Sequence, residues 1–262
     1  MTISLEHKTI HTNADRLWRS IETINKIGAT TAGGVCRLAL SDEDKEARDL
    51  FRRWCADAGC KVRIDAIGNI FACRPGRYPN RPPVMTGSHL DTQPTGGRFD
   101  GIYGVLAGLE VVRTLNDLEL ETDTPIEVVV WTNEEGCRFA PSMGGSGVFA
   151  GVLEYDHVIA QKDRAGNSFG DELQRIGYMG DVPIGGTPVA AYFEAHIEQG
   201  PILEAEKKVI GIVTGGQGKR SYEVKLTGQE AHAGTTPMPA RHDPLKAAAR
   251  VIAKLELIAQ DH

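Results

Sequence analysis

The sequence predicts an α/β sandwich, because short apolar segments typical of buried strands alternate with longer segments of helical periodicity. Residues 126–131 form the clearest strand candidate, since they are apolar and β-branched like strands in the middle of a covered sheet. Residues 243–258 form the clearest helix candidate, with Pro244 in the first turn and apolar residues at helical spacing on one side.

Two helices are predicted before residue 60. The first spans residues 13–26 and carries apolar residues at helical spacing. The second opens at Ser41, with Asp44 at the third position as in a capping box, and stops at Gly59.

Further elements follow in alternation. Strands are predicted at residues 61–64, 69–73 and 84–87. A helix is predicted at 101–115, where the early glycine Gly104 suits close packing on a sheet, and a weaker helical pattern covers 171–176.

The sequence pattern of the chain changes near residue 208. Residues 191–198 alternate, which predicts a strand with one polar face that includes His196. Residues 210–213 and 221–226 are also typical of strands. We therefore predict two domains, residues 1–208 and 209–262.

Composition excludes several partners. The net charge is −6 and the pI is about 5.8, so no general attraction to nucleic acid or to an anionic membrane is expected. No signal peptide is visible, and no apolar run approaches the ~20 residues of a membrane span. The five cysteines are odd in number and lack a C-x-x-C motif, which indicates reduced, mostly buried thiols and a cytoplasmic protein.

Metal-ligating residue types follow three of the predicted strands. Because ligands of α/β proteins lie beyond the carboxyl ends of the strands, these side chains are candidates for a site for zinc or a similar divalent ion. A solvated acidic turn at Glu134-Glu135 and a satisfied core histidine at His196 are the open alternatives. The candidates are His89, Asp91, Asp100, Glu134, Glu135 and His196.

Other chemistries match less well. Residues 144–148 lack the last glycine of the serine-hydrolase elbow. Gly218-Lys219 is followed by Arg220, so there is no phosphate-binding G-K-[ST] motif. Cys137 lies beside the acidic pair, and we expect it to pack and not to act as a nucleophile.

Five segments together resemble the M20-type metallopeptidase superfamily and, within it, the hydantoinase/carbamoylase amidase branch. The resemblance implies a mixed central sheet flanked by helices, with an inserted α+β lid and dimerisation domain of which only the first part is present. The segments are Thr-Gly-Ser-His-Leu-Asp-Thr at 86–92, Gly-Arg-Phe-Asp-Gly at 97–101, Trp-Thr-Asn-Glu-Glu-Gly-Cys-Arg-Phe at 131–139, Glu-Ala-His-Ile-Glu-Gln-Gly-Pro at 194–201 and Gly-Gln-Glu-Ala-His-Ala-Gly-Thr-Thr-Pro-Met at 228–238.

The resemblance also implies roles for individual residues in a site for two divalent ions, with zinc first and manganese, cobalt or nickel as alternatives. Asp100 resembles the carboxylate that bridges the ions. The remaining ligands are His89 and His196 for one ion and Glu135 for the other.

Other residues of the same motifs resemble catalytic and substrate-binding groups. Glu134 resembles the general base, and Asp91 the residue that orients His89. His232 resembles a histidine that reaches across a homodimer to polarise the scissile carbonyl of a small ureido substrate. Gln199 resembles a residue near the substrate.

The implied reaction is hydrolysis of a ureido or amide C–N bond, with an N-carbamoyl-L-amino acid as the first candidate substrate. Allantoate amidohydrolase and β-ureidopropionase activities are the alternatives. Family members extend beyond residue 262, where a final metal-binding histidine and a carboxylate-binding arginine are expected. An inactive fragment that serves only as a dimerising module is therefore the rival hypothesis from another functional class.

Overall fold

The computed structural model of the protein describes residues 10–186, 188–216, 218 and 222–260. The chain divides into two compact units, Met1–Pro201 and Ile202–His262. The division of function between a catalytic domain and a lid domain stays a prediction.

Five strands of the first unit form one mixed sheet. They are β1 (Lys61–Ile64), β2 (Ile70–Arg74), β3 (Val84–His89), β4 (Ile126–Trp131) and β5 (Ala191–Phe193). Their order is β1-β2-β4-β3-β5. The pairs β1–β2 and β2–β4 are antiparallel, and β3 runs parallel to both β4 and β5. The carboxyl ends of β3, β4 and β5 therefore lie at one edge of the sheet, which confirms the mixed α/β architecture.

Among the described residues of the first unit, six helices accompany this sheet. Ser41 caps the second helix as predicted, and Asn13 caps the first; each has a side-chain oxygen that accepts a backbone N–H bond. The helix α3 packs on β3 and β4, α1 packs on α3, and α2 contacts β1. The helices are α1 (Ala14–Ile24), α2 (Asp42–Asp57), α3 (Ile102–Asp117), α4 (Gly144–Phe149), α5 (Tyr155–Ile159) and α6 (Phe169–Arg175).

The two faces of the sheet bury different residues, as the period of two in a strand requires. On β4, Val128 and Val130 join the main core with the helices, whereas Val129 and Trp131 join a smaller cluster on the opposite face. Both faces are covered. This explains why β4 is apolar at almost every position, as the sequence predicted.

The predicted strand at residues 191–198 is shorter than expected. Only Ala191–Phe193 pairs with β3, so His196 follows the strand instead of lying on its polar face. The alternation of side chains predicted an extended segment, but a strand also requires a neighbour for its N–H and C=O groups, and the ladder ends at Thr86.

The second unit contains α7 (Ile202–Ala205), a short 3₁₀ helix (Met238–Ala240) and α8 (Pro244–Gln260). The helix α8 confirms the predicted amphipathic helix. Strands were predicted at 210–213 and 221–226. The described residues of these segments pair with no strand, so the structure contains no strand at these positions. Ser221 lies outside the described residues. No helix in the described part of the chain combines the length and the apolar character needed to span a membrane.

A buried ion pair links α2 to the loop before β2. Arg48 donates from Nε to Asp44 Oδ2 at 2.8 Å and from Nη1 to the Gly68 carbonyl at 2.9 Å, and both charged side chains are fully buried. Asp44 also accepts a bond from the backbone N–H of Leu40. Because two charges removed from water stabilise the fold only when both are present, we expect this pair to be sensitive to the loss of one partner.

We predict that Asp44→Ala lowers the free energy of unfolding by about 3–5 kcal/mol, since it leaves the buried Arg48 guanidinium without its counter-ion. The matched control is Lys45→Ala, which removes a partly exposed pair with Asp49 at the same i,i+4 spacing on the same helix. The control should cost at most about 1 kcal/mol. Urea unfolding followed by circular dichroism measures both, and equal losses would contradict the prediction.

Candidate metal centre

His89 is the last residue of β3 and is almost fully buried. Its Nδ1 lies 2.8 Å from the backbone carbonyl oxygen of Asp91, which can only accept, so the neutral ring carries its proton on Nδ1. Nε2 is then unprotonated and lies 3.8 Å from Asp100 Oδ1. The side chain therefore presents a lone pair to the centre of the candidate site.

Asp100 is brought to His89 by a tight turn at Gly101. Gly101 has φ +67°, and a Cβ atom there would lie 2.5 Å from the imidazole ring of His89. A side chain at this position would be strained by the backbone and would displace the histidine. The glycine after Asp100 thus lets the loop close on the end of β3.

His196 completes a group of three metal-ligating side chains. Its Nε2 lies 3.1 Å from Asp100 Oδ1, and its Nδ1 lies 2.8 Å from the carbonyl of Ile197. One ligand atom from each of His89, Asp100 and His196 lies within 4.8 Å of the others. Gln199 also reaches this group, since its Nε2 donates to Asp100 Oδ2 at 2.7 Å.

The acidic pair after β4 is held by Asp91. The backbone N–H groups of Glu134 and Glu135 donate to the two carboxylate oxygens of Asp91 at 3.2 and 3.1 Å. Asp91 Oδ1 is 3.7 Å from His89 Nδ1, so the backbone carbonyl of Asp91 is the nearer partner of the ring. Asp91 therefore orients His89 through its backbone and the acidic pair through its side chain.

The two glutamates of the pair have different surroundings. Glu134 Oε2 lies 3.5 Å from His89 Nε2, beside the group of three. Glu135 Oε2 accepts a bond from Gln93 Nε2 at 2.5 Å. Glu135 Oε1 is buried and has no hydrogen-bond partner among the described residues, which leaves a carboxylate oxygen available for a cation.

The negative charges of the site raise the pKa values of the His89 imidazole and the Glu134 carboxyl. Burial opposes protonation of His89, but the negative charges of Asp91 and Glu134 outweigh it and raise the pKa of the imidazole. Burial also raises the pKa of the Glu134 carboxyl, and repulsion from Glu135 and Asp100 adds to this effect. A bound cation would relieve this repulsion.

The donor set fits a divalent ion. Ligand bonds of about 2.0–2.1 Å at tetrahedral angles place ligand atoms roughly 3.3 Å apart. The distances of 3.1 and 3.8 Å from Asp100 Oδ1 to the two histidine nitrogens lie on either side of that value. Imidazole and carboxylate ligands suit zinc, manganese, cobalt and nickel alike, so geometry does not select one metal.

His232 belongs to the second unit, where its Nδ1 accepts backbone N–H bonds from Gly234 at 3.0 Å and Thr235 at 3.2 Å. The neutral ring therefore carries its proton on Nε2 and offers a donor there. The turn that supplies these N–H groups is part of the Ala-His-Ala-Gly-Thr-Thr sequence at 231–236.

The structure brings His89, Asp100, Glu134, His196 and Gln199 together, and their roles stay predictions. Three contacts were not foreseen. Gln93 holds Glu135, Ser88 donates to Glu194 at 2.5 Å, and Cys137, which we expected to pack, is exposed and donates to Gln93 Oε1 at 2.8 Å. Ser88 and Glu194 lie inside the motifs. Their closeness in sequence to His89 and His196 was the available signal that they belong to the site.

Known proteins resemble this chain in sequence. The family described as Peptidase family M20/M25/M40 matches residues 85–260. An N-carbamoyl-L-amino-acid amidohydrolase of Rhizobium meliloti is 54% identical over 250 residues, which cover 95% of this chain and 60% of the relative. The allantoate amidohydrolase of Bacillus subtilis is 36% identical over 239 residues, which cover 90% of this chain and 58% of the relative. The chain thus spans about three fifths of the length of these curated relatives.

A solved structure extends the comparison to three dimensions. The amidase of the hydantoinase/carbamoylase family from Burkholderia multivorans has a TM-score of 0.84 and 55% identity, and the match covers 97% of this chain and 62% of that one. The motifs, the mixed sheet and the grouping of His89, Asp100 and His196 agree with the family match. The chain belongs to the peptidase family M20/M25/M40, within which its structural neighbours are hydantoinase/carbamoylase amidases.

Proposed function

We propose that the protein is a metal-dependent amidohydrolase that cleaves the ureido C–N bond of an N-carbamoyl-L-amino acid, giving the amino acid, ammonia and carbon dioxide. The observation that carries the proposal is the grouping of His89, Asp100 and His196 beside the Glu134 carboxylate. The similarity to an N-carbamoyl-L-amino-acid amidohydrolase supports the choice of substrate.

We assign His89, His196 and Asp100 to one divalent ion, with Asp100 shared with a second ion that Glu135 binds. The unpartnered Glu135 Oε1 supports the second assignment. Ions held there would supply Lewis acidity, which activates water and polarises a carbonyl group. Zinc is our first choice, and manganese, cobalt and nickel are compatible with the same ligands.

Glu134 acts as the general base in this proposal. Its carboxylate accepts a proton from the attacking water and passes it to the leaving nitrogen. Glu134 Oε2 lies beside the group of three metal-ligating side chains, where it can reach a water held between them and the substrate. The Asp91 carboxylate holds Glu134 at the edge of the metal-ligating group through a backbone hydrogen bond, and Glu134 Oε2 lies 3.5 Å from His89 Nε2.

His232 and Gln199 interact with the substrate in this proposal. The Nε2–H of His232 stabilises the negative charge that develops on the carbonyl oxygen, because its Nδ1 is already occupied by two backbone donors. The resemblance supports a cytoplasmic homodimer in which this histidine serves the neighbouring subunit. Gln199 lies beside Asp100 and orients either the Asp100 carboxylate or the substrate.

Allantoate is the second candidate substrate, because allantoate amidohydrolases are among the similar proteins. The bond cleaved and the residues required are the same. A panel of N-carbamoyl-L-amino acids, N-carbamoyl-β-alanine and allantoate, assayed by ammonia release, separates these substrates. A preference for allantoate would overturn the first choice of substrate but not the proposed chemistry.

We predict that Glu134→Gln in the full-length protein lowers kcat by about 10²–10⁴-fold, since the amide cannot accept the proton. Metal content should stay at the wild-type value. Glu22→Gln, an exposed glutamate on α1, is the control and should leave both quantities unchanged. Ammonia release and elemental analysis measure the two effects, and undiminished turnover in Glu134→Gln would refute the role of the base.

We predict that added zinc or manganese raises the melting temperature of the metal-free protein, because a ligand that binds only the folded state stabilises it. In His196→Ala the rise should be smaller, since one of three grouped ligands is lost. His157→Ala, on α5, is the matched control and should behave like wild type. Differential scanning fluorimetry provides the measurement, and an equal rise in His196→Ala would exclude this residue as a ligand.

The rival hypothesis is a module that dimerises but does not catalyse. It predicts that no ureido compound is hydrolysed and that each chain holds at most one ion tightly. The metal content and the substrate panel therefore decide between the two functions with the same protein preparation.

A further inference from the structure

The segment that carries His196 lacks the support of a β-ladder. The pairing of β5 with β3 ends at Phe193, opposite Thr86, and the backbone from residue 194 to 199 is irregular. A metal ligand needs a fixed position to contribute affinity. Some other interaction must therefore hold His196 beside Asp100.

Glu194 supplies such an interaction. Its Oε1 accepts a bond from the Ser88 hydroxyl at 2.5 Å, and its Oε2 accepts one from the Tyr192 hydroxyl at 2.6 Å. Hydrogen bonds to an ionised acceptor are shorter and roughly twice as strong as neutral ones. Ser88 is buried and directly precedes His89, so the Glu194 carboxylate joins the segments of both histidine ligands.

The network continues to the third strand that delivers site residues. Trp131, the last residue of β4, donates from Nε1 to the Tyr192 hydroxyl at 3.0 Å. This hydroxyl accepts from Trp131 and donates to Glu194. The ends of β3, β4 and β5 are thus linked by hydrogen bonds that are independent of the sheet ladder.

A second observation places the same segment against α3. A Cβ atom at Gly104 would lie 2.7 Å from the Ala195 carbonyl oxygen and 2.9 Å from Ser88 Cβ. Only a glycine in the first turn of α3 allows the backbone around residue 195 to come this close. The segment between Glu194 and His196 is therefore seated on both β3 and α3.

We propose that Glu194 is a positioning residue for the metal centre, and that its bonds to Ser88 and Tyr192 hold His196 in reach of the ion bound by His89 and Asp100. The proposal rests on the proposed function for the identity of these ligands. It adds that the affinity for this ion depends on two hydroxyl groups that do not touch the metal.

The test must separate position from charge, because the negative charge of Glu194 itself attracts a cation. The double variant Ser88→Ala/Tyr192→Phe removes both hydroxyls and keeps the carboxylate. Tyr78→Phe removes a hydroxyl from an exposed tyrosine in the loop between β2 and β3 and serves as the control. Affinity for zinc is measured on the full-length protein by competition with a chromophoric chelator.

The ion concerned is the one whose binding His196→Ala weakens. We expect the double variant to bind this ion about 10–100-fold more weakly than wild type, because this is the usual effect of losing the groups that orient metal ligands. The control should bind like wild type. The two single variants should each lose part of this affinity while the melting temperature of the metal-free protein changes little. A purely structural role would lower that melting temperature and leave the affinity intact.

Two results would overturn the proposal in different ways. If His196→Ala weakens zinc binding but the double variant binds within twofold of wild type, the positioning role is wrong and the metal centre stands. If His196→Ala binds zinc as tightly as wild type, the metal centre itself is wrong, and the positioning role falls with it. Should the double variant not fold, Tyr192→Phe alone gives the same comparison.

Discussion

The buried carboxylate of Asp91 accepts hydrogen bonds from the backbone N–H groups of Glu134 and Glu135, and the geometry of the candidate site depends on this interaction. A buried charge needs such donors, because leaving it unsatisfied costs several kcal/mol. The two bonds fix the loop after β4 to the loop after β3. Glu134 consequently lies at the side of His89 that faces Asp100.

The sheet makes this convergence possible. Because β3 runs parallel to both β4 and β5, the chain segments that follow all three strands emerge at one edge. Short segments then finish the arrangement: the turn at Gly101 returns Asp100 to His89, and Gly104 lets the segment before His196 approach α3. Like charges are thereby concentrated in a small volume, and this is the electrostatic condition that a bound cation satisfies.

The fold was predictable for those helices and strands whose sequence pattern depends on their own residues and their own burial. The periodicity and caps of α1 and α2, and the apolar run of β4, arise from local propensity and burial. Residues 191–198 were misjudged because alternation shows which side chains share a face but not where a neighbouring strand ends. The segments at 210–213 and 222–226 have apolar residues typical of strands but pair with no strand among the described residues.

The residues of the site likewise include some that the sequence predicted and some that it did not. The positions of the histidines and carboxylates after predicted strands made them candidates, and the resemblance to a known family predicted His89, Asp100, Glu134 and His196 as a group. The bond between Ser88 and Glu194 joins residues 106 positions apart, and no local pattern specifies it. Contacts of this kind follow from the tertiary arrangement of the strand ends, so the sequence pattern does not predict them.

X-ray absorption spectroscopy of the zinc-loaded protein tests the proposed metal centre, because it reports the ligand types around the ion. We expect nitrogen and oxygen ligands at about 2.0–2.1 Å with the scattering of histidine imidazoles, which decreases in His196→Ala. A spectrum without imidazole scattering, or one with a sulfur ligand at about 2.3 Å from Cys137, would refute the proposed ligands.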